Sequence, residues 1–147
     1  MTEALLTANP FPAATSGPAG PGADRILVMR LMPMPRDLNG AGDVFGGWLL
    51  AQLDLAASVL PVRRARGRVA TVAVNEVLFK KPVSVGDLLS FYARITRIGR
   101  TSMTTHIEVI AERNPSDPHF TVVAEATFTF VALDEKGQPR PVPDRED

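Results

Sequence analysis

The segment Val44-Phe-Gly-Gly-Trp-Leu-Leu-Ala-Gln-Leu-Asp-Leu-Ala-Ala-Ser-Val-Leu60 constrains the fold more than any other part of the chain. After its two glycines only Gln52, Asp54 and Ser58 are polar, and Pro61 is expected to halt it. Its centre has high helix propensity, and about 15 residues of helix span roughly 22 Å. A helix apolar nearly all round expects burial on most sides, yet this one is too short for a bilayer. Something else in the protein must wrap it.

The remaining segments are suited to that task. Ile26 to Met32 is a short apolar run stopped by Pro33 and Pro35, and reads as a first strand. Met34 to Asp43 follows as a loop rich in Pro, Asp, Asn and Gly. Beyond the helix, Val69 to Phe79 is rich in β-branched residues. Leu88 to Ile98, Thr101 to Glu112 and Phe120 to Leu133 then alternate apolar and polar residues with period two, a strong strand signal. Gly99-Arg100 suggests a type II′ hairpin turn with glycine first, and Asn114 to Pro118 a looser one. The order is strand, loop, helix, then four long strands, mostly antiparallel neighbours. This predicts an α+β hotdog fold, a long curved antiparallel sheet wrapped around one central apolar helix. Such a sheet leaves edges to manage, so self-association is expected.

Composition narrows the function. The 147 residues suit one domain, with 16 Lys+Arg against 16 Asp+Glu. Balanced charge removes any global argument for a nucleic-acid or membrane partner. The lack of cysteine excludes a disulfide framework and a cysteine nucleophile, and fits a cytoplasmic protein. The apolar run near the N-terminus lacks a basic flank and is broken by Pro10 and Pro12, so it does not read as a secretory signal. Residues 1–22 and 135–147 hold over half of the 13 prolines and read as mobile tails around a domain at 23–134. No Gly-x-Ser-x-Gly elbow, P-loop or dinucleotide fingerprint occurs. His106 and His119 lack ligand spacing, so no metal site is expected.

What remains is Asn39-Gly-Ala-Gly-Asp43-Val-Phe-Gly-Gly-Trp48. Asp43 just before a helix can be a simple N-cap, complementing the macrodipole. Yet Gly46 and Gly47 each cost about 1 kcal/mol of helix stability against Ala, and leave bare N–H groups at the positive end of the dipole. That arrangement suits an oxyanion. On residues alone, capping and catalysis are equally good accounts of Asp43. Asp54 lies inside an otherwise apolar helix, where an unpaired charge is costly. It is about 16 Å along the axis from Asp43, too far to share a reacting atom. Antiparallel helices in a two-fold dimer could bring Asp43 of one chain near Asp54 of the other. Arg63-Arg64-Ala-Arg66-Gly-Arg68 follows the helix; it either complements the dipole or grips phosphates. Lys80-Lys81-Pro82 and Gly99-Arg100-Thr101-Ser102 are further phosphate candidates. A nucleic-acid groove would need aromatic platforms among these cations, and few are visible.

From Ile26 to Pro143 the chain resembles the hotdog acyl-CoA thioester hydrolases, in particular the YciA-type branch related to cytosolic acyl-CoA hydrolases. Its most specific pieces are Met34-Pro-Arg-Asp-Leu-Asn-Gly-Ala-Gly-Asp-Val-Phe-Gly-Gly-Trp-Leu-Leu, Ala65-Arg-Gly-Arg-Val-Ala-Thr-Val, Phe79-Lys-Lys-Pro-Val-Ser-Val-Gly-Asp and Gly99-Arg-Thr-Ser. The resemblance implies hydrolysis of acyl-CoA to free acid and CoA without a cofactor. It implies Asp43 as general base or nucleophile, an oxyanion site at Gly46 and Gly47, and Asn39 within the catalytic group. Asp54 occupies the place of a helix carboxylate supplied by the opposed protomer. Arg66, Arg68, Lys81, Gly99, Arg100, Thr101 and Ser102 would hold the nucleotide part of CoA. The family also implies a homodimer as the minimal unit within a trimer of dimers. A non-catalytic acyl-CoA-binding regulator, a hotdog dehydratase and, third, a nucleic-acid module are the alternatives. A dehydratase would want a histidine in the loop or helix, and none is there.

Overall fold

The computed structural model describes residues 25–114 and 116–145, so the expected N-terminal tail lies outside the described residues. Strand β1 (Ile26–Leu31) leads through a 3-10 turn at Pro35–Asp37 into helix α1 (Gly46–Ala57) and a shorter helix α2 (Val59–Ala65). Strands β2 (Val69–Phe79), β3 (Leu88–Ile98), β4 (Ser102–Arg113) and β5 (His119–Ala132) follow. All pair antiparallel in one five-stranded sheet of order β1-β3-β4-β5-β2. The hotdog expectation holds.

The core forms where α1 meets the sheet. Leu49, Leu53, Ala56 and Ala57, at helical spacing, face Phe91, Ile107, Val109, Phe128 and Phe130, all buried. Alanines at 93, 111, 124 and 126 share that sheet face and let the helix approach closely. The other side of α1 is open. Ala51 is exposed and Leu55 is 59% exposed, so a single chain buries one stripe of the helix and not most of it.

Three expectations need correction. The helix does not run unbroken to Pro61. It breaks at Ser58, and Pro61 becomes the third residue of α2. Proline has no N–H to offer the Ala57 carbonyl four residues back, which ends α1, but the first turn of a new helix needs no such donor. The β3–β4 turn is not type II′. Gly99 lacks a positive φ; its N–H donates to the Ser102 carbonyl across Arg100 and Thr101, which become the central residues. A Cβ at position 99 would lie 3.0 Å from Ser102 Oγ, so a larger residue there asks the serine side chain to shift. Finally, residues 135–145 are docked. Arg140 donates from its backbone to the Ala132 carbonyl and from its guanidinium to those of Leu133 and Ala65. Val142 donates to the Arg100 carbonyl and packs in a small cluster with Ala65, Met103 and Ala132.

Candidate active site

The loop before α1 is built around Asn39. Its side-chain oxygen accepts from the N–H of Ala41 at 2.9 Å and of Asp43 at 3.1 Å, while its own N–H donates to the Asp43 carbonyl at 2.6 Å. Gly42, at φ 89°, makes the tight return possible. Val44 N–H then donates to the Val83 carbonyl, and Phe45 N–H to that of Asp37. Asn39 thus holds the loop that carries Asp43, with its amide oxygen committed to two backbone donors.

Capping and catalysis separate here. The N-cap of α1 is Phe45, with no side-chain cap, so Asp43 is not the capping residue. Nothing among the described residues is hydrogen-bonded to its carboxylate. Asp43 instead lines a cleft of about 310 Å³ with Gly46, Leu49, Phe79, Lys81 and Val83. Leu49 makes the first helical bond, to the Phe45 carbonyl, which leaves the N–H groups of Gly46, Gly47 and Trp48 without helical acceptors. A side chain at Gly46 would touch the Phe79 ring, whereas one at Gly47 would meet nothing within 4 Å. Packing within the chain does not require glycine at 47. An Ala there is expected to stabilise the fold by up to about 1 kcal/mol, read as a raised melting temperature. It is also expected to lower turnover, because the methyl group enters the space a ligand or second chain needs.

The wall opposite Asp43 comes from the β2–β3 connection, residues 80–87. Lys80 and Lys81 both donate backbone N–H to the Val123 carbonyl, and exposed Lys81 lines the cleft. Lys80 Nζ lies 3.3 Å from Glu125 Oε2, which His106 also approaches at 3.8 Å. The wall is fastened by a pair that sequence reasoning missed. Asp87, almost fully buried, accepts from Arg113 Nε at 2.9 Å and Nη2 at 2.7 Å, and from the Ser84 N–H. Arg113 also donates to the Pro82 carbonyl. Asp87 closes the Phe79–Asp87 motif, so its position was visible, but its partner lies 26 residues away.

The other predicted residues lie elsewhere. Asp54 accepts from Thr71 Oγ1 at 2.6 Å, facing β2 and not Asp43. Arg66 takes a left-handed conformation that ends α2, and with Arg68 lines a second cleft of about 330 Å³ that includes Asp134, Glu135 and Arg140. The Gly99–Ser102 turn lies close by, since the Thr101 carbonyl accepts from Ala132 and the Arg68 carbonyl from Leu133. These two expected CoA-binding groups therefore share one end of the sheet. Asp43 and Lys81 are at the other, about 30 Å away along the length of β2. Within one chain the two ends do not form one site. Among the described residues no cluster of His, Asp and Glu could hold a metal. No helix there is long and apolar enough to cross a membrane.

Known proteins share this fold and much of this sequence. Residues 41–117 match the thioesterase superfamily. The chain is 44% identical over 119 residues to the acyl-CoA thioester hydrolase YciA of Salmonella typhimurium, covering 80% of this chain and 90% of that one. It superposes on a hexameric broad specificity acyl-coenzyme A thioesterase with a TM-score of 0.75 at 40% identity, covering 82% of each chain. The hexameric thioesterase y2039 from Yersinia pestis gives 0.76 at 42% identity, covering 82% of this chain and 97% of that one. With the YciA identity running over four-fifths of this chain and nine-tenths of that relative, the chain belongs to the YciA-type acyl-CoA thioester hydrolases of the thioesterase superfamily.

Proposed function

We propose that this protein hydrolyses acyl-CoA thioesters to a free acid and CoA, and that Asp43 performs the central step. The observation that carries this reading is the Asp43 carboxylate, without a hydrogen-bonding partner among the described residues, beside the open N-terminus of α1. As general base, Asp43 takes a proton from water as the water oxygen bonds to the thioester carbon. The carbonyl electron pair moves onto oxygen, where the N–H groups around Gly46 and Gly47 stabilise the oxyanion. Collapse re-forms the carbonyl and breaks the C–S bond, and the Asp43 carboxyl returns its proton to the departing thiolate. As nucleophile, Asp43 instead forms a mixed anhydride that water opens, with the same products. Either route balances without a cofactor.

The relatives solved as hexamers support a homo-oligomer, and two chains as the smallest active unit fit the open surfaces. β2 is an edge strand, and Val72, Val74, Leu78 and Phe79 along it are exposed. An uncovered edge of this length and apolarity is a template for pairing with another chain. A two-fold contact along it, with Leu55 of α1 covered as well, brings in the opposed Asp54. It also carries the Arg66–Arg68 end of one chain toward the Asp43 end of the next. A trimer of such dimers is the assembly this reading favours. The lack of cysteine agrees with a cytoplasmic setting.

The test is release of free CoA thiol from short, medium and long acyl-CoAs, followed with a thiol reagent. Saturable turnover is expected; no turnover with any chain length would favour a binding regulator. Asp54→Asn tests the paired arrangement. Asn keeps an oxygen for Thr71 while removing the charge, so kcat should fall at least tenfold with assembly and CoA binding intact. Unchanged kcat would remove Asp54 from the site.

A further inference from the structure

A cleft wider than the one that holds Asp43 lies elsewhere in the described structure. It encloses about 730 Å³, shares no lining residue with the Asp43 cleft, and sits where helix α2 faces the far half of β3. Strand β1 pairs with β3 only as far as Ile26 opposite Ala93, so residues 94–98 have no strand neighbour on that side among the described residues. A register shift between Ile95 and Arg97 marks a bulge there, a device that re-aims side chains at a strand edge.

Five arginines line this cleft: Arg63, Arg64, Arg94, Arg97 and Arg145. Among the described residues no acidic side chain lines it, and none of the five has a carboxylate partner. The Nε of Arg94 is buried without any hydrogen-bond acceptor. A buried donor left unpaired is costly, and five like charges in one concavity repel one another. Both costs fall if an anion occupies the site. The cleft also has an apolar floor of Ile26, Leu60, Ile95 and Ile98, so it suits an anion carrying an apolar or flat body. Guanidinium forks match phosphate oxygens two at a time and stack on flat rings. The volume falls within the range of small-molecule sites, about 300–1,000 Å³. Among the described residues no aromatic side chain lines it, which argues against a run of stacked bases from a nucleic acid.

We infer that this cleft binds a phosphorylated small molecule of the nucleotide class, with its phosphates on the arginines and its body on the apolar floor. Two sources share that chemistry. One is the nucleotide end of CoA, a case that rests on the hydrolase reading; the other is a free nucleotide acting as an effector.

Calorimetric titration of the full chain with ADP and, separately, with CoA tests the site. The comparison is between wild type and the double variant R63A/R97A. Both arginines are exposed, and a wild-type melting temperature verifies that the variant folds. Whichever titrant binds wild type should bind the double variant at least tenfold more weakly, with R97E alone acting in the same direction. A matching rise in KM for acyl-CoA, with none for the S-acyl-pantetheine that lacks the nucleotide, identifies the substrate as the source. Weakened ADP binding with both KM values unchanged identifies a free effector. No heat with either titrant up to millimolar concentration at low salt overturns the inference, as does equal affinity in the double variant. Binding is read as heat and not as turnover, so a protein inactive on every thioester leaves this test standing.

Discussion

Asp43→Asn is expected to reduce kcat for acyl-CoA hydrolysis by about 10²- to 10⁴-fold, the range for removing a positioned general base. Its value as a test comes from how the loop is held. Both hydrogen bonds between positions 39 and 43 use the backbone of Asp43, and the carboxylate takes part in neither. Asn at 43 therefore preserves the turn, the entry into α1 and the cleft wall. What the change removes is a negative charge near a helix N-terminus, worth about 0.3–1 kcal/mol at such positions. A melting temperature close to wild type beside a collapse in thiol release would separate chemistry from folding. Asp43→Ala should behave alike. The chain has no cysteine to react with the thiol reagent, so residual rates are measurable over several decades. Undiminished turnover in both variants would refute the assignment of Asp43.

Asp87→Ala is expected to have the largest effect on stability, about 2–3 kcal/mol, seen as a melting temperature lower by about 5–10 °C. The carboxylate is almost wholly buried and makes three hydrogen bonds, two of them to Arg113. Breaking a fully buried ion pair costs about 3–5 kcal/mol. The Arg113 side chain is 51% exposed and can rehydrate, which holds the loss below that range. Because Arg113 also binds the Pro82 carbonyl, the wall facing Asp43 loosens with it, and KM should rise severalfold. Arg113→Lys keeps the charge without the two-pronged geometry and should lose about half as much stability. A melting temperature within a degree of wild type in Asp87→Ala would refute the clamp. Hydrogen bonding to Asp87 raises the Arg113 pKa above its already high ordinary value, with burial opposing and the Asp87 charge assisting. The raised value means this group's contribution is complete below its unfolded pKa and declines only as pH rises through the folded one. Arg113 therefore adds no pH dependence to stability between about pH 5 and 9.

Much of the fold was legible because its signals are local. Period-two alternation in Leu88–Ile98 marks β3 to the residue, and β4 and β5 begin and end within one residue of the pattern. The helix was legible too, but not its end, since proline is read as a stop even where it opens a second helix. The Gly99 turn failed for a similar reason. Glycine permits a positive φ without requiring one, and here it adopts none while sitting close beside Ser102 Oγ.

The candidate site was legible in part. Asp43, Gly46 and Gly47 stood out because two glycines at a helix start are locally unfavourable for stability and stand beside a carboxylate. The partners across the cleft were not, because nothing in Phe79–Val83 states that it will fold back on Val44. Equally hidden were the Asp87–Arg113 clamp and the arginine cleft, whose members come from α2, from β3 and from the C-terminal segment.

By itself the sequence determined the element types, the apolar helix that demands a wrapping sheet, and the residues available for chemistry. These follow from spacing and side-chain type over a few neighbours. The tertiary structure alone decided that β2 leaves β3 to pair with β5 at the far edge. It also decided that Asp43 meets Lys81 and Val83 while Arg66 and Arg68 gather at the other end. Alternation says which face of a strand is buried but not which strand lies beside it. Short turns tie β3, β4 and β5 into neighbours, whereas the eight residues from Lys80 to Asp87 are long enough to cross the sheet. That crossing carries the wall of the cleft to Asp43.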